Sequence, residues 1–237
     1  MRTAICFTGI CRSLEYTHEN IRENLIKAVG DCDVFMYIAD GPTAYKAEKY
    51  FNASEITELK VEKETPIDAS GISFEPNWPP HGSKQVYLQM LYSMKRCNEM
   101  RVEHELKNNI KYDRIIRSRL DIRYFKPVDS IDEYDLQFLH VPDFHCWSIV
   151  QGNGLNDRFA VGSRRDMNIY LSEFDYIKKY SMQGLKIHAE STLCWHLANS
   201  GVTVKYCPVR FTRVRPDGNE EDKHLETGPP FPAGEGA

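Results

Sequence analysis

Asp33-Val-Phe-Met-Tyr-Ile38 is an apolar run without polar alternation, and it narrows the possible folds more than any other stretch of the chain. A strand with one wet face alternates with period two. A run that is apolar on both faces instead fits a central parallel strand covered by helices above and below. Ala4-Ile-Cys-Phe-Thr8 has the same character. Between the two runs, Gly9-Ile-Cys-Arg-Ser13 reads as a loop, and Thr17 to Val29 as a helix with Ile21, Leu25 and Ala28 on one face. Gly30 suits the helix C-terminus. Residues 4–38 therefore predict a βαβ unit, and the chain an α/β fold with a mostly parallel sheet flanked by helices.

The remaining elements follow the same logic. Pro42 can open a short helix reaching Tyr50, and Ile56-Thr-Glu-Leu-Lys-Val61 reads as a third strand. Residues 62–82, with several Pro and Gly and with Trp78, predict a long irregular loop, read either as a lid or as disorder. A long helix follows from Ser83 to about Asn108, with Val86, Met90, Met94 and Cys97 at helical spacing as a core stripe. Leu136 to Val141 reads as a strand, and Gly152 to Ser163 as a glycine-rich turn entering a short strand. That turn lacks the G-x-G-x-x-G order of a dinucleotide fold. Arg165 to Lys179 and Ala189 to Ser200 are expected helices, the second stopped by Gly201, and Val202 to Tyr206 a late strand.

At 237 residues the chain suits one domain. Its hydrophobic fraction of 41% supports a packed core, and its net charge of −4 argues against general nucleic-acid binding. The seven cysteines include no C-x-x-C pair, so they read mostly as buried thiols. No signal-peptide core or membrane span is apparent, which predicts a soluble, cytoplasmic chain. Without a secretory signal, Asn52-Ala-Ser54 reads as a chance match to an N-glycosylation acceptor.

Tyr112-Asp-Arg-Ile-Ile-Arg-Ser-Arg-Leu-Asp-Ile-Arg-Tyr124 carries the chemistry. A β-branched strand runs into Asp121, bracketed by Arg117, Arg119 and Arg123, which favour an anionic ligand. In open α/β sheets ligands bind outside the carboxyl ends of the strands, so a carboxylate there can hold a metal or a sugar hydroxyl. The competing reading is an edge strand on which Arg119 and Asp121 simply pair.

Ile5-Cys-Phe-Thr-Gly9 with Arg12-Ser13, Asp33-Val-Phe35, Tyr112 to Asp121, Asn156-Asp-Arg-Phe-Ala-Val-Gly162 and Ala189-Glu-Ser-Thr-Leu193 occur in an order and spacing that resemble the glycosyltransferase-A superfamily. The resemblance is to its small soluble enzymes of bacterial surface-polysaccharide synthesis and to the capsid-glycosylating transferases of large algal viruses. It covers most of residues 1–215, leaving 216–237, rich in Gly, Pro and Glu, as an expected flexible tail. It implies an enzyme that moves a sugar from a nucleoside diphosphate sugar to a hydroxyl on a glycan or glycoprotein acceptor.

The Asp121 segment then corresponds to the superfamily's D-x-D motif, with Asp121 as ligand to Mn²⁺ or Mg²⁺. The aligned triplet is Arg119-Leu-Asp121, so only the second acidic position is present, and Arg119 can instead neutralise the diphosphate directly. Gly9 lets the backbone approach the nucleotide, and Arg12 with Ser13 can bind phosphate near a helix N-terminus, although an ordinary strand-to-helix turn has the same pattern. Arg213, with Arg210 and Arg215, either closes over the diphosphate or forms a solvated edge. Glu190 is the first candidate general base and Asp157 the second, against plain helix-end and turn-capping roles. His140 and His145, flanking Pro142, are candidate acceptor contacts, against the structural roles that scattered histidines more often have.

Two other readings compete. A nucleotidyltransferase or sugar-nucleotide hydrolase could use a related sheet, yet the first loop has one Gly and no Lys to cradle a triphosphate. A carbohydrate-binding module could use Trp78, Trp147 and Trp195 as stacking surfaces.

Overall fold

A computed structural model describes residues 1–39, 46–76, 84–128, 131–147 and 154–226. The described residues form a seven-stranded sheet in the order β3-β2-β1-β4-β7-β6-β8. Its strands are β1 (Thr3–Gly9), β2 (Cys32–Ala39), β3 (Glu58–Glu62), β4 (Arg114–Arg119), β6 (Leu139–Pro142), β7 (Ala160–Ser163) and β8 (Val204–Cys207). β1 pairs in parallel with β2 and β4, β2 with β3, and β6 with β8, whereas β7 runs antiparallel to both β4 and β6. The mostly parallel α/β sheet expected from the apolar runs is therefore present, with one strand reversed.

Side chains alternate across β1 and β2 into two cores. Ala4, Cys6, Phe35 and Tyr37 face α4 (Lys84–Asn108), α5 (Arg164–Tyr170), α6 (Ile177–Met182) and α7 (Ala189–Asn199). Ile5, Phe7, Val34, Met36 and Ile38 face α1 (Leu14–Ile21) and α3 (Lys46–Tyr50) on the other side. Ile5 and Phe7 are fully buried, and each such side chain contributes roughly 1.5–3 kcal/mol of transfer free energy.

Several boundaries differ from the sequence reading. The first helix starts at Leu14 and passes through a π-helical turn, Arg22–Ile26, into α2 (Lys27–Val29). Arg22 donates to Glu55 at 2.5 Å beside that turn. Residues 112–124 are not one strand: the chain bends at Leu120 and Asp121, and β5 (Ile122–Tyr124) leaves the main sheet to pair with β9 (Phe211–Arg213). β4 lies between β1 and β7, so the edge-strand reading of this segment does not hold.

The helix expected over 165–179 is broken into α5, a 3₁₀ turn (Glu173–Tyr176) and α6. The tail expected from residue 216 is packed as far as 226: Val214 bridges to Glu220, and Leu225 joins the second core at 7% exposure. Most of its anchors are polar side-chain pairs, which a low apolar content conceals. Arg123 pairs with Glu220 at 2.7 Å, Arg213 with Glu221 at 2.5 Å, and His145 with Asp222 at 3.1 Å. Pro42, Trp78, Gly152 and Asn153 lie outside the described residues. No helix among the described residues is long and apolar enough to cross a membrane.

Candidate functional site

The strand order reverses at β1, whose neighbours β2 and β4 lead the chain to opposite sides, and such a switch point leaves a crevice at the carboxyl ends of the strands. A cleft of about 280 Å³ lies there. The pairing of Thr8 with Arg119 sets the end of β1 beside the end of β4. Gly9, the last residue of β1, has φ +113°, a conformation that side chains disfavour, and open space where a Cβ would stand.

Asp121 sits on the bend after β4 and is 2% exposed. Arg119 grips it bidentately, Nε to Oδ1 at 2.7 Å and Nη2 to Oδ2 at 2.7 Å, and Arg12 Nη2 reaches Oδ2 at 2.9 Å. Burial pushes the carboxyl upward, but the two guanidiniums outweigh it and hold Asp121 well below the usual carboxylate range.

The bend itself is pinned by backbone and hydroxyl bonds. Val214 N–H donates to Asp121 O at 2.8 Å, Thr17 Oγ1 to Leu120 O at 2.7 Å, and Ser13 Oγ to Val214 O at 2.6 Å. Ser13 is fully buried and does not line the cleft, which corrects its expected phosphate-binding role: its hydroxyl braces the segment that holds Asp121.

The opposite wall comes from the loop before β7, the start of α7 and β9, which contribute Asp157, Arg158, Ala189, Glu190 and Arg213. Leu155 N–H donates to Glu190 O at 3.1 Å, tying the loop to the helix. Asn156 fixes the loop by donating to Phe144 O at 2.8 Å and accepting from Arg158 N–H at 2.9 Å. Asp157 O accepts from the fully buried Arg117, whose Nε has no hydrogen-bond partner among the described residues.

Glu190 is 9% exposed, and among the described residues its Oε2 makes no hydrogen bond while lying 3.7 Å from His188 Nε2. Burial, reinforced by the charge of Asp157, pushes its carboxyl up to about 8. Beneath this wall Tyr87 donates to Glu173 at 3.1 Å, and burial raises Glu173 to about 8 as well. Burial and the Glu173 charge keep the Tyr87 phenol protonated, and burial lowers His188.

Gly9, Arg12, Arg117, Arg119, Asp121, Asp157, Glu190 and Arg213 thus converge on one cleft. Of the other arginines singled out, Arg123 is engaged by Glu220, Arg210 by Asp143 at 2.5 Å and Arg215 by Glu221, away from the cleft lining. His140 stacks on Tyr134 and His145 pairs with Asp222; neither lines the cleft. Trp147 is exposed and Trp195 packs edge-on to Tyr180, so the described tryptophans form no common stacking surface.

The α4 wall was missed in the sequence. Val86, Tyr87, Gln89, Met90 and Ser93 face the cleft, and Val86 is 55% exposed rather than part of a core stripe. Gln89 and Ser93, four residues apart, break the apolar run and were the available signal. Glu64 joins from the loop after β3, and a side cavity of about 80 Å³ opens between Glu64, Gln89, Tyr37 and Tyr92.

A divalent cation fits this arrangement poorly. Both oxygens of Asp121 are occupied by guanidiniums, and no group of three His, Cys, Asp or Glu side chains suited to a metal occurs among the described residues. No curated protein matches the chain. A family described as a domain of unknown function, DUF7796, matches residues 1–216, nearly the whole length, and the chain belongs to that family.

Proposed function

We propose that the protein is a glycosyltransferase that moves a sugar from a nucleoside diphosphate donor to a hydroxyl acceptor on a glycan or glycoprotein. One observation carries this reading: a single switch-point cleft joins an arginine-rich floor to the carboxyl pair Asp157 and Glu190 on the facing wall. Arg12, Arg119 and Arg213 suit a diphosphate, because guanidinium N–H groups pair with phosphate oxygens in a fixed fork. Asp157 and Glu190 line the same cleft and are the carboxyls available to meet an acceptor hydroxyl.

In the reaction, the Glu190 carboxylate takes the proton of the acceptor hydroxyl. The acceptor oxygen bonds to the anomeric carbon, and the bond from that carbon to the phosphate oxygen breaks with its electron pair on the diphosphate. The arginines stabilise the charge that develops there. A base must be ionised to act, and a carboxyl raised toward the working pH is matched to that task.

The test is a thermal-shift screen of the purified protein with UDP-, GDP- and dTDP-sugars, followed by product analysis with candidate acceptors. A donor that stabilises the fold and transfers its sugar supports the reading. Donor consumption with water as the sole acceptor favours a sugar-nucleotide hydrolase in its place. Stabilisation by glycans but by no nucleotide favours a carbohydrate-binding module.

A further inference from the structure

We propose that the donor diphosphate is neutralised by arginines alone, with Asp121 positioning Arg12 and Arg119 instead of ligating a divalent cation; this rests on the nucleotide-sugar reading above. Hard cations bind through carboxylate and phosphate oxygens. Asp121 is the one carboxylate at the end of β4, and a cation there would have to displace a bidentate guanidinium and a second arginine at 2.9 Å. The position two residues earlier, acidic in a D-x-D motif, is Arg119 itself. A cation's place in the motif is therefore filled by a cation of the chain.

The charge balance points the same way. Among the described residues, the guanidiniums of Arg12, Arg117, Arg119, Arg158 and Arg213 face the carboxyls of Glu64, Asp121, Asp157 and Glu190, so the described lining is net positive even with every carboxyl ionised. Arg158 lies 3.7 Å from Asp222, and its Nη1 makes no hydrogen bond among the described residues. Arg119 commits Nε and Nη2 to Asp121, while among the described residues Nη1 has only Met90 Sδ at 4.0 Å. Each of these guanidiniums retains N–H donors for phosphate oxygens, and holding two of them on one buried carboxylate removes the entropy of ordering them at each binding event.

The experiment is calorimetric titration of the full chain with UDP, GDP, ADP and dTDP, each in EDTA and in millimolar Mn²⁺. The expected result is a best-binding nucleotide whose Kd differs by less than about threefold between the two buffers, with Arg119→Ala and the more exposed Arg213→Ala each weakening binding in EDTA by about tenfold or more. Asp121→Asn should weaken binding equally with and without Mn²⁺, and Asp121→Glu, which keeps the charge, should recover part of the loss. Thermal melts of each variant verify folding.

Binding that tightens by about tenfold in Mn²⁺ and loses that gain in Asp121→Asn overturns this inference and leaves the transferase reading standing. Metal-free binding without sugar transfer from any donor overturns the transferase reading and supports the arginine site. Failure of every nucleotide to bind in either buffer overturns both.

Discussion

Replacing Glu173 by Gln should make the protein more stable at alkaline pH while leaving it unchanged in mild acid. Glu173 is 2% exposed, accepts from Tyr87 at 3.1 Å, and lies within the electrostatic reach of Asp157 and Glu190. Burial, with those charges added, raises its carboxyl from 4.5 to about 8. The folded value lies above the unfolded one. Its stabilising contribution is thus complete below the unfolded value and is lost as pH rises toward and through about 8. At about 1.4 kcal/mol per pKa unit the ceiling is about 5 kcal/mol, and relaxation with water entry brings the expected effect to about 2–3 kcal/mol.

Glutamine keeps the oxygen that receives the Tyr87 hydroxyl and never ionises. The variant's melting temperature should match the wild type at pH 5 within about 2 °C and exceed it at pH 8.5 by about 5–10 °C. Melting curves at half-unit pH steps give the difference directly, because titration of other groups is common to both proteins. Parallel melting-versus-pH curves for the two would refute the reasoning.

Glu190→Gln should lower transfer by about 10²–10⁴ with donor affinity nearly unchanged, and wild-type kcat/KM should rise with pH through about 8 as Glu190 loses its proton. A variant that keeps both rate and pH profile would place the base elsewhere. Ser13→Ala should cost about 1–2 kcal/mol in urea denaturation through the lost bond to Val214 O, with the largest effect on folding and a secondary one on nucleotide affinity. A large affinity loss without a stability change would restore Ser13 as a phosphate ligand. Leu225→Ala should destabilise by about 2–3 kcal/mol, because its side chain is buried in the second core; an unchanged unfolding midpoint would mean that residues 216–226 are not docked.

Legibility in the sequence followed the physics of each element. β1 and β2 were readable because both of their faces are apolar, and that pattern belongs to buried parallel strands. Arg119 and Asp121 were readable because a carboxylate ending a β-branched run announces a strand terminus. The direction of β7 was not readable, since Ala160–Ser163 is too short for its pattern to specify a partner. The α4 wall was hidden because Val86, Met90, Met94 and Cys97 share a helical spacing, although the first pair meets the cleft and the second pair the core. The packing of residues 216–226 was hidden because Glu220, Glu221 and Asp222 find their partners at Arg123, Arg213, Arg215 and His145, pairings that hydropathy does not encode.

The reversed β7 divides the labour of the cleft along the chain. A strand that runs with β1 and β4 would deliver its last residues to the crevice; β7, running against β4, delivers the loop that precedes it, with Asp157 and Arg158. One wall is therefore written in residues 8–121 and belongs to the sheet's central register, while the facing wall is written in 155–213 and hangs on a loop anchored to α7 by Leu155 and to the chain before it by Asn156. Change in that loop can reshape the facing wall of the cleft without disturbing the strands that form the other. Exchanging residues 154–157 and 159 among members of the family while keeping Arg158 is accordingly a route to a new acceptor preference for the proposed transferase with its proposed donor arginines in place.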